Sequence, residues 1–92
     1  MPYSKHVIER VNTLPASPGA KLARWAVYLD IPVTYIAFAS GATRQTVYGW
    51  FRGGQVAAFY VPVVLRLVKC MQGSKTGEEA WDKICQEFNL QL

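Results

Sequence analysis

Acidic residues are absent from the middle of this 92-residue chain, since residues 31–77 contain no aspartate and no glutamate. The same segment holds five basic residues: Arg44, Arg52, Arg66, Lys69 and Lys75. Its charge is therefore +5, against +2 for residues 1–30 and −3 for residues 78–92. A surface built from this segment has a positive field, for which a polyanion is the usual partner, although an incidental charge excess would look the same.

Cysteine, histidine and long apolar runs are also scarce. Cys70 and Cys85 are not spaced as a zinc or redox motif, and both fall on apolar faces of predicted helices, which favours reduced core cysteines. The single histidine, His6, has the position of a surface residue near a terminus. No uncharged stretch reaches the roughly 18 residues of a membrane span, and the N-terminus lacks the apolar run of a signal peptide. We therefore expect a cytoplasmic protein.

The sequence has no catalytic constellation. We find no carboxylate pair in an apolar setting, no nucleophile with a base at motif spacing, no glycine loop for a phosphate and no cluster of metal ligands. We therefore expect neither an enzyme nor a protein with a bound cofactor or metal.

Hydrophobic spacing is helical almost throughout, and no segment alternates with the period of a strand. The length is that of a single domain, residues 1–92. We therefore expect an all-α fold, a compact bundle of about five to six short helices. The predicted helices cover about residues 4–13, 19–30, 32–40, 43–52, 62–73 and 77–88.

Some helix ends and inward faces can also be predicted. Gly41 suits a left-handed C-cap, and Thr43 suits the N-cap of the following helix. Thr76 and Glu79 form a capping box, in which each side chain accepts a hydrogen bond from the other residue's N–H. In the helix of residues 62–73, the residues predicted to face inward are Val61, Val64, Leu65, Val68 and Met71.

Tyr35, Phe38 and Ala39 form a second apolar face on their helix. The N-terminal helix, around Val7 and Ile8, is the simplest cover for this face. A subunit interface, and hence a homodimer, is the alternative.

Residues 36–52 have the spacing of a helix-turn-helix. The small residue Ala37 lets two helices cross closely, and Gly41 tolerates the positive φ of a tight turn. The second helix packs on the first through Val47, Trp50 and Phe51. Its other face presents Thr43, Arg44, Gln45, Tyr48, Gly49 and Arg52.

This outer face suits the major groove of double-stranded DNA. Arginine pairs bidentately with guanine and glutamine with adenine, and the first residues of a recognition helix reach the base edges. We therefore predict base-reading roles for Thr43, Arg44, Gln45 and Tyr48, with shielding of the core edge as the alternative for Tyr48.

Four further residues are predicted to contact the DNA backbone or the groove wall. Gly49 lets the helix lie close to the groove, and Arg52 is placed for a phosphate. Lys21 and Arg24, near the start of the predicted helix of residues 19–30, are candidates for phosphate contacts. Such contacts position a protein without reading sequence. A solvated face is an equal alternative for these two.

Residues 19–71 resemble the Cro/C1-type helix-turn-helix domain of phage repressors and related bacterial regulators. The matching residues are Leu22 and Trp25, Ile36 and Ala37, Gly41, residues 43–47 and residues 50–53. The resemblance implies a lambda-repressor-like bundle whose third core helix enters the major groove, and a role as repressor or activator of transcription. The run of residues 42–51 is similar to small phage-encoded DNA-binding proteins in particular, which implies a phage or prophage origin.

Two residues depart from that family's pattern. Ser40 stands where an apolar residue is usual, which implies looser or hydrogen-bonded packing. Phe51 replaces a common acidic residue, which adds apolar surface and makes the second helix more basic.

Two other functions stay open at this point. A protein-interaction module could keep the helix-turn-helix fold and bind a host protein, with Phe38, Tyr48 and Phe51 as aromatic anchors. A nonspecific DNA-binding protein would use the same basic surface without reading the bases.

Overall fold

The computed structural model describes residues 3–90, and these form helices with no strand among them, which confirms the all-α prediction. The six α-helices are α1 (Lys5–Thr13), α2 (Pro18–Tyr28), α3 (Val33–Ser40), α4 (Arg44–Phe51), α5 (Val61–Gln72) and α6 (Gly77–Phe88), and a short 3-10 helix (Ala58–Tyr60) precedes α5. Among these described helices, none is long and apolar enough to cross a membrane.

Hydroxyl side chains begin four of the helices. Ser4, Ser17, Thr43 and Thr76 each accept a hydrogen bond from the N–H three residues further on. Each cap satisfies one of the N–H groups that a helix start leaves without an internal partner. Because Ser17 is a cap and Pro18 takes the first helical position, α2 begins one residue before the predicted start.

The predicted capping box at Thr76 is only half correct. The Thr76 hydroxyl accepts from the N–H of Glu79 at 3.1 Å, as predicted. The Glu79 carboxylate, however, accepts from the N–H of Lys75 at 2.8 Å rather than from that of Thr76. It reaches one residue beyond the cap, and this hydrogen bond lowers the pKa of Glu79 below its usual value.

The core joins side chains from all six helices. α2 and α5 pack most extensively on each other, and α4 packs on both α2 and α3. The largest fully buried side chains are Val11, Leu22, Ile36, Val47, Val64, Leu67, Met71 and Ile84. α4 is therefore held from behind, and its remaining face is left outside the core.

The prediction for Leu65 was wrong, because its side chain is 49% exposed while Leu67 is fully buried. The buried residues of α5 are Val64, Leu67, Val68 and Met71, which follow a single helical stripe. Apolar residues occupy most positions at the start of α5, so hydrophobicity alone does not define its inner face.

The helix that covers Tyr35 is not the N-terminal helix that we expected. The Tyr35 ring lies on Trp81 of α6, with 4.7 Å between ring centroids, rather than under the N-terminal helix. Ala39 is buried, whereas Phe38 stays 52% exposed. The second apolar face of α3 is therefore divided between contact with α6 and solvent.

Cys70 and Cys85 are free thiols that are partly exposed rather than enclosed in the core. Burial of their sulfur atoms is the main cause that raises the pKa of both. The thiol form therefore predominates at neutral pH, and neither residue has the low pKa of a reactive cysteine.

Candidate nucleic-acid interface

α3 and α4 are joined by the three residues 41–43, as a helix-turn-helix requires. Gly41 has a φ of 76°, the left-handed conformation predicted for it, and its N–H donates to the carbonyl of Ala37 at 3.0 Å. The Ala42 side chain is buried, and Thr43 caps α4. The turn chemistry expected from the sequence is therefore present in the structure.

Ser40 contributes hydrogen bonds to this turn. Its hydroxyl accepts from the N–H of Ala42 at 3.2 Å and lies 3.4 Å from the carbonyl oxygen of Ala37, to which it donates. A polar residue thus replaces the usual apolar one without leaving an unsatisfied group. Of the two outcomes expected for Ser40, the hydrogen-bonded one is correct.

The two faces of α4 differ as predicted. Val47, Trp50 and Phe51 are buried. The opposite face is exposed at Arg44, Gln45, Tyr48 and Arg52, and partly exposed at Gly49. The structure therefore places the predicted DNA-contacting residues of α4 together on one open surface.

The arginines of this surface have no acidic partner within residues 3–90. The ion pairs of that range are Arg66–Glu87 and Lys83–Glu79, both at α5 and α6. Arg44 and Arg52 therefore have no counter-charge among these residues, and their N–H donors are open to an outside partner. Such unpaired, exposed guanidinium groups suit an anionic ligand.

Thr43 is more constrained than its neighbours. Its hydroxyl accepts from the N–H of Thr46 at 3.1 Å and lies 3.0 Å from the Thr46 hydroxyl. The Thr43 hydroxyl therefore serves to cap α4. The predicted contact with a base would be made in addition to these two interactions.

Gly49 has no structural reason to be glycine within the described fold. It lies inside α4 with an ordinary helical backbone, and a Cβ added there would meet no heavy atom within 4 Å. Glycine in a helix interior is less stable than alanine by about 0.5–1 kcal/mol. The predicted close approach of DNA at Gly49 would account for the residue.

The Gly49→Ala variant should therefore gain stability and lose DNA affinity. We expect the midpoint of thermal unfolding to rise by a few degrees, because the helix gains about 0.5–1 kcal/mol. We expect affinity for duplex DNA to fall about 5-fold or more, because a methyl group at a close contact costs about 1–3 kcal/mol. Thermal unfolding and a fluorescence titration measure the two effects, and unchanged affinity would exclude a close approach at residue 49.

Lys21 and Arg24 differ in their surroundings. Lys21 is exposed on α2. Arg24 is half-buried, and its guanidinium donates to the carbonyls of Val11, at 3.3 Å, and Leu14. Arg24 therefore holds the C-terminal end of α1, which leaves fewer of its donors for a phosphate.

Sequence reasoning missed a groove beside α4. This groove, of about 410 Å³, lies between α1, the start of α3 and the C-terminal half of α4. Its polar lining includes Arg10 and Thr34, for which we predicted no role from the sequence, together with Tyr48 and Arg52. Arg10 lies more than thirty residues before α4, and no local motif connects the two.

Phe51 lines this groove but is otherwise buried, and it does not lie on the outer surface. It is 4% exposed and stacks on the ring of Tyr3, with centroids 5.6 Å apart. The expectation that Phe51 adds apolar surface to the recognition helix was therefore wrong, because the N-terminal segment covers it.

No protein-family model, curated protein or solved structure matches this chain. The resemblance to Cro/C1-type domains therefore rests on the residues of the helix-turn-helix, and membership of that family stays a prediction.

Proposed function

We propose that this protein is a sequence-specific regulator of transcription that binds double-stranded DNA through α4. The observation that carries the proposal is the exposed, unpaired set of Arg44, Gln45 and Arg52 on a helix whose other face is buried. A helix whose inner face is packed in the core presents its outer side chains at defined positions. Side chains that read base edges need such fixed positions.

The roles of the side chains follow from their positions on α4. Arg44 and Gln45 stand in the first turn, where a recognition helix reaches bases. Arg52 is the C-cap, two turns further on, and is assigned to a phosphate. Tyr48 lies between these ends and contacts either a thymine methyl or the backbone.

Regulation would follow from occupation of operator DNA, as a repressor or an activator. In the Cro/C1 type that we propose, two copies bind half-sites about one helical turn of DNA apart. A homodimer is therefore part of the proposal, and so is a phage or prophage origin in a bacterial host.

The protein-interaction alternative loses one of its three anchors, because Phe51 is buried. Phe38 and Tyr48 stay exposed by 52% and 47% and could still contact a host protein. The unpaired arginines beside Tyr48 favour DNA, since a protein partner would need acidic groups at the same places.

Two alanine variants test the proposed division between base reading and backbone contact. Arg44→Ala should cost about 1–3 kcal/mol on a preferred duplex and relax the preference at one base pair. Arg52→Ala should weaken preferred and random duplexes alike and reduce the salt dependence by about one phosphate contact. Lys69→Ala is the matched control, because it removes an exposed positive charge from α5.

The titrations use preferred and random duplexes at several salt concentrations. Equal losses on both duplexes for Arg44→Ala would exclude the base-reading role. A wild-type protein without salt-sensitive binding would favour the protein-interaction module, and a salt slope without sequence preference would favour nonspecific DNA binding.

A further inference from the structure

The groove beside α4 is formed by three helices. α1 with its N-cap contributes Ser4, Val7 and Arg10 to the wall, and α4 with its C-cap contributes Tyr48, Phe51 and Arg52. Because Tyr48 and Arg52 also belong to the exposed face of α4, the groove is continuous with the proposed DNA surface. A ligand lying along α4 can therefore reach α1.

The charged side chains of the groove favour an anion. Arg10 of α1 and Arg52 at the end of α4 both line it, and no acidic residue of the described chain does. Neither arginine is ion-paired within residues 3–90. Two guanidinium groups without counter-charges attract phosphate, which they bind through charge-assisted hydrogen bonds.

Helix α1, which forms one wall of the groove, is held by contacts at both of its ends. Near its start, the Tyr3 ring stacks on Phe51 and its hydroxyl donates to the carbonyl of Ile31 at 2.5 Å. Burial raises the pKa of Tyr3 above its usual value, so this hydroxyl stays protonated. At the other end, Arg24 donates to carbonyls of Val11 and Leu14. Arg10 is thus presented by a held helix rather than by a free arm, which reduces the entropy lost on binding.

We propose that this groove receives the sugar-phosphate backbone of DNA that α4 binds, and that Arg10 donates to a phosphate there. The inference rests on the proposed function and extends the DNA surface from the helix-turn-helix to α1. Arg10 would position the protein on the duplex without reading bases. A free phosphate ion has the same chemistry, and the experiments below separate the two.

The Arg10→Ala variant should bind preferred and random duplexes about 5- to 10-fold more weakly than the wild type. The slope of log K against log salt should become shallower by about 0.9, which is the loss of one phosphate contact. Lys5→Ala is the matched control, since Lys5 is exposed on the same helix but does not line the groove. Its affinity should stay within about 2-fold of the wild type, because only the overall charge changes.

Neutral phosphate analogues locate the contact. We would place single methylphosphonate groups along each strand of a preferred duplex and titrate each duplex with the wild type and with Arg10→Ala. We expect one position at which the neutral group weakens the wild type but has little further effect on Arg10→Ala. Equal weakening of both proteins at every position would overturn the proposal.

The remaining outcomes separate this inference from the proposed function. If the wild type binds DNA and Arg52→Ala weakens it, while Arg10→Ala behaves like Lys5→Ala, the groove proposal alone fails. If the wild type shows no salt-sensitive binding to DNA, both proposals fail. If Arg10→Ala reduces binding of inorganic phosphate in calorimetry but leaves DNA affinity unchanged, the groove is a small-anion site and the DNA-backbone proposal is wrong.

Discussion

Reversing both charges of α4, in the Arg44→Glu/Arg52→Glu variant, should lower affinity for duplex DNA by at least about 100-fold. Each arginine is expected to contribute about 1–3 kcal/mol, and each glutamate adds repulsion from the phosphates. Folding should change little, because both side chains are exposed and neither is ion-paired within residues 3–90. Fluorescence titration measures the affinity, and thermal unfolding checks the fold.

A second double variant controls for net charge. Lys69→Glu/Lys75→Glu removes the same amount of positive charge from exposed positions at α5 and the turn that follows it. We expect this control to keep most of its affinity, since only the long-range attraction to DNA is reduced. Similar losses in the two variants would mean that overall charge, rather than the face of α4, determines binding.

The largest effect on stability is expected from Gly77→Ala. Gly77 begins α6, and a Cβ there would overlap the carbonyl oxygen of Leu29, at the end of α2. A backbone carbonyl cannot rotate away as a flexible side chain can, so α6 must move from the corner between α2 and α3. We expect a loss of about 2–3 kcal/mol and a midpoint of thermal unfolding lower by about 10–20 °C.

Gly73→Ala is the matched control in the same connection between α5 and α6. A Cβ at residue 73 would lie 3.3 Å from Nζ of Lys83, the end of a flexible side chain that can shift. We expect a change of less than about 1 kcal/mol, measured by thermal or urea unfolding. Equal destabilisation by the two variants would show that glycine flexibility, and not the contact with Leu29, determines the effect.

Local signals predicted the helix-turn-helix well. Gly41 and Thr43 have the conformation and the cap hydrogen bond that their residue types favour, and these depend on neighbours within a few residues. The inward face of α4 followed in the same way from the spacing of its apolar residues. Such features need no knowledge of the rest of the chain.

Long-range packing explains what the sequence did not predict. The burial of Phe51 depends on Tyr3, and the cover of Tyr35 depends on Trp81, each pair lying more than forty residues apart. Arg10 comes to line the groove beside α4 through the packing of α1 on α2, which no local pattern indicates. The wrong prediction for Leu65 has a different cause. Apolar residues run almost without interruption through the start of α5, so tertiary contacts determine which of them face inward.

The most direct test of the account is a selection of bound duplexes from a random pool, run in parallel with the wild type and Arg44→Ala. We expect the wild type to enrich one sequence motif, and Arg44→Ala to enrich the same motif with one base pair relaxed. A palindrome with half-sites about one helical turn apart would report the homodimer as well. A wild-type pool without any enriched sequence would contradict the claim that α4 reads DNA.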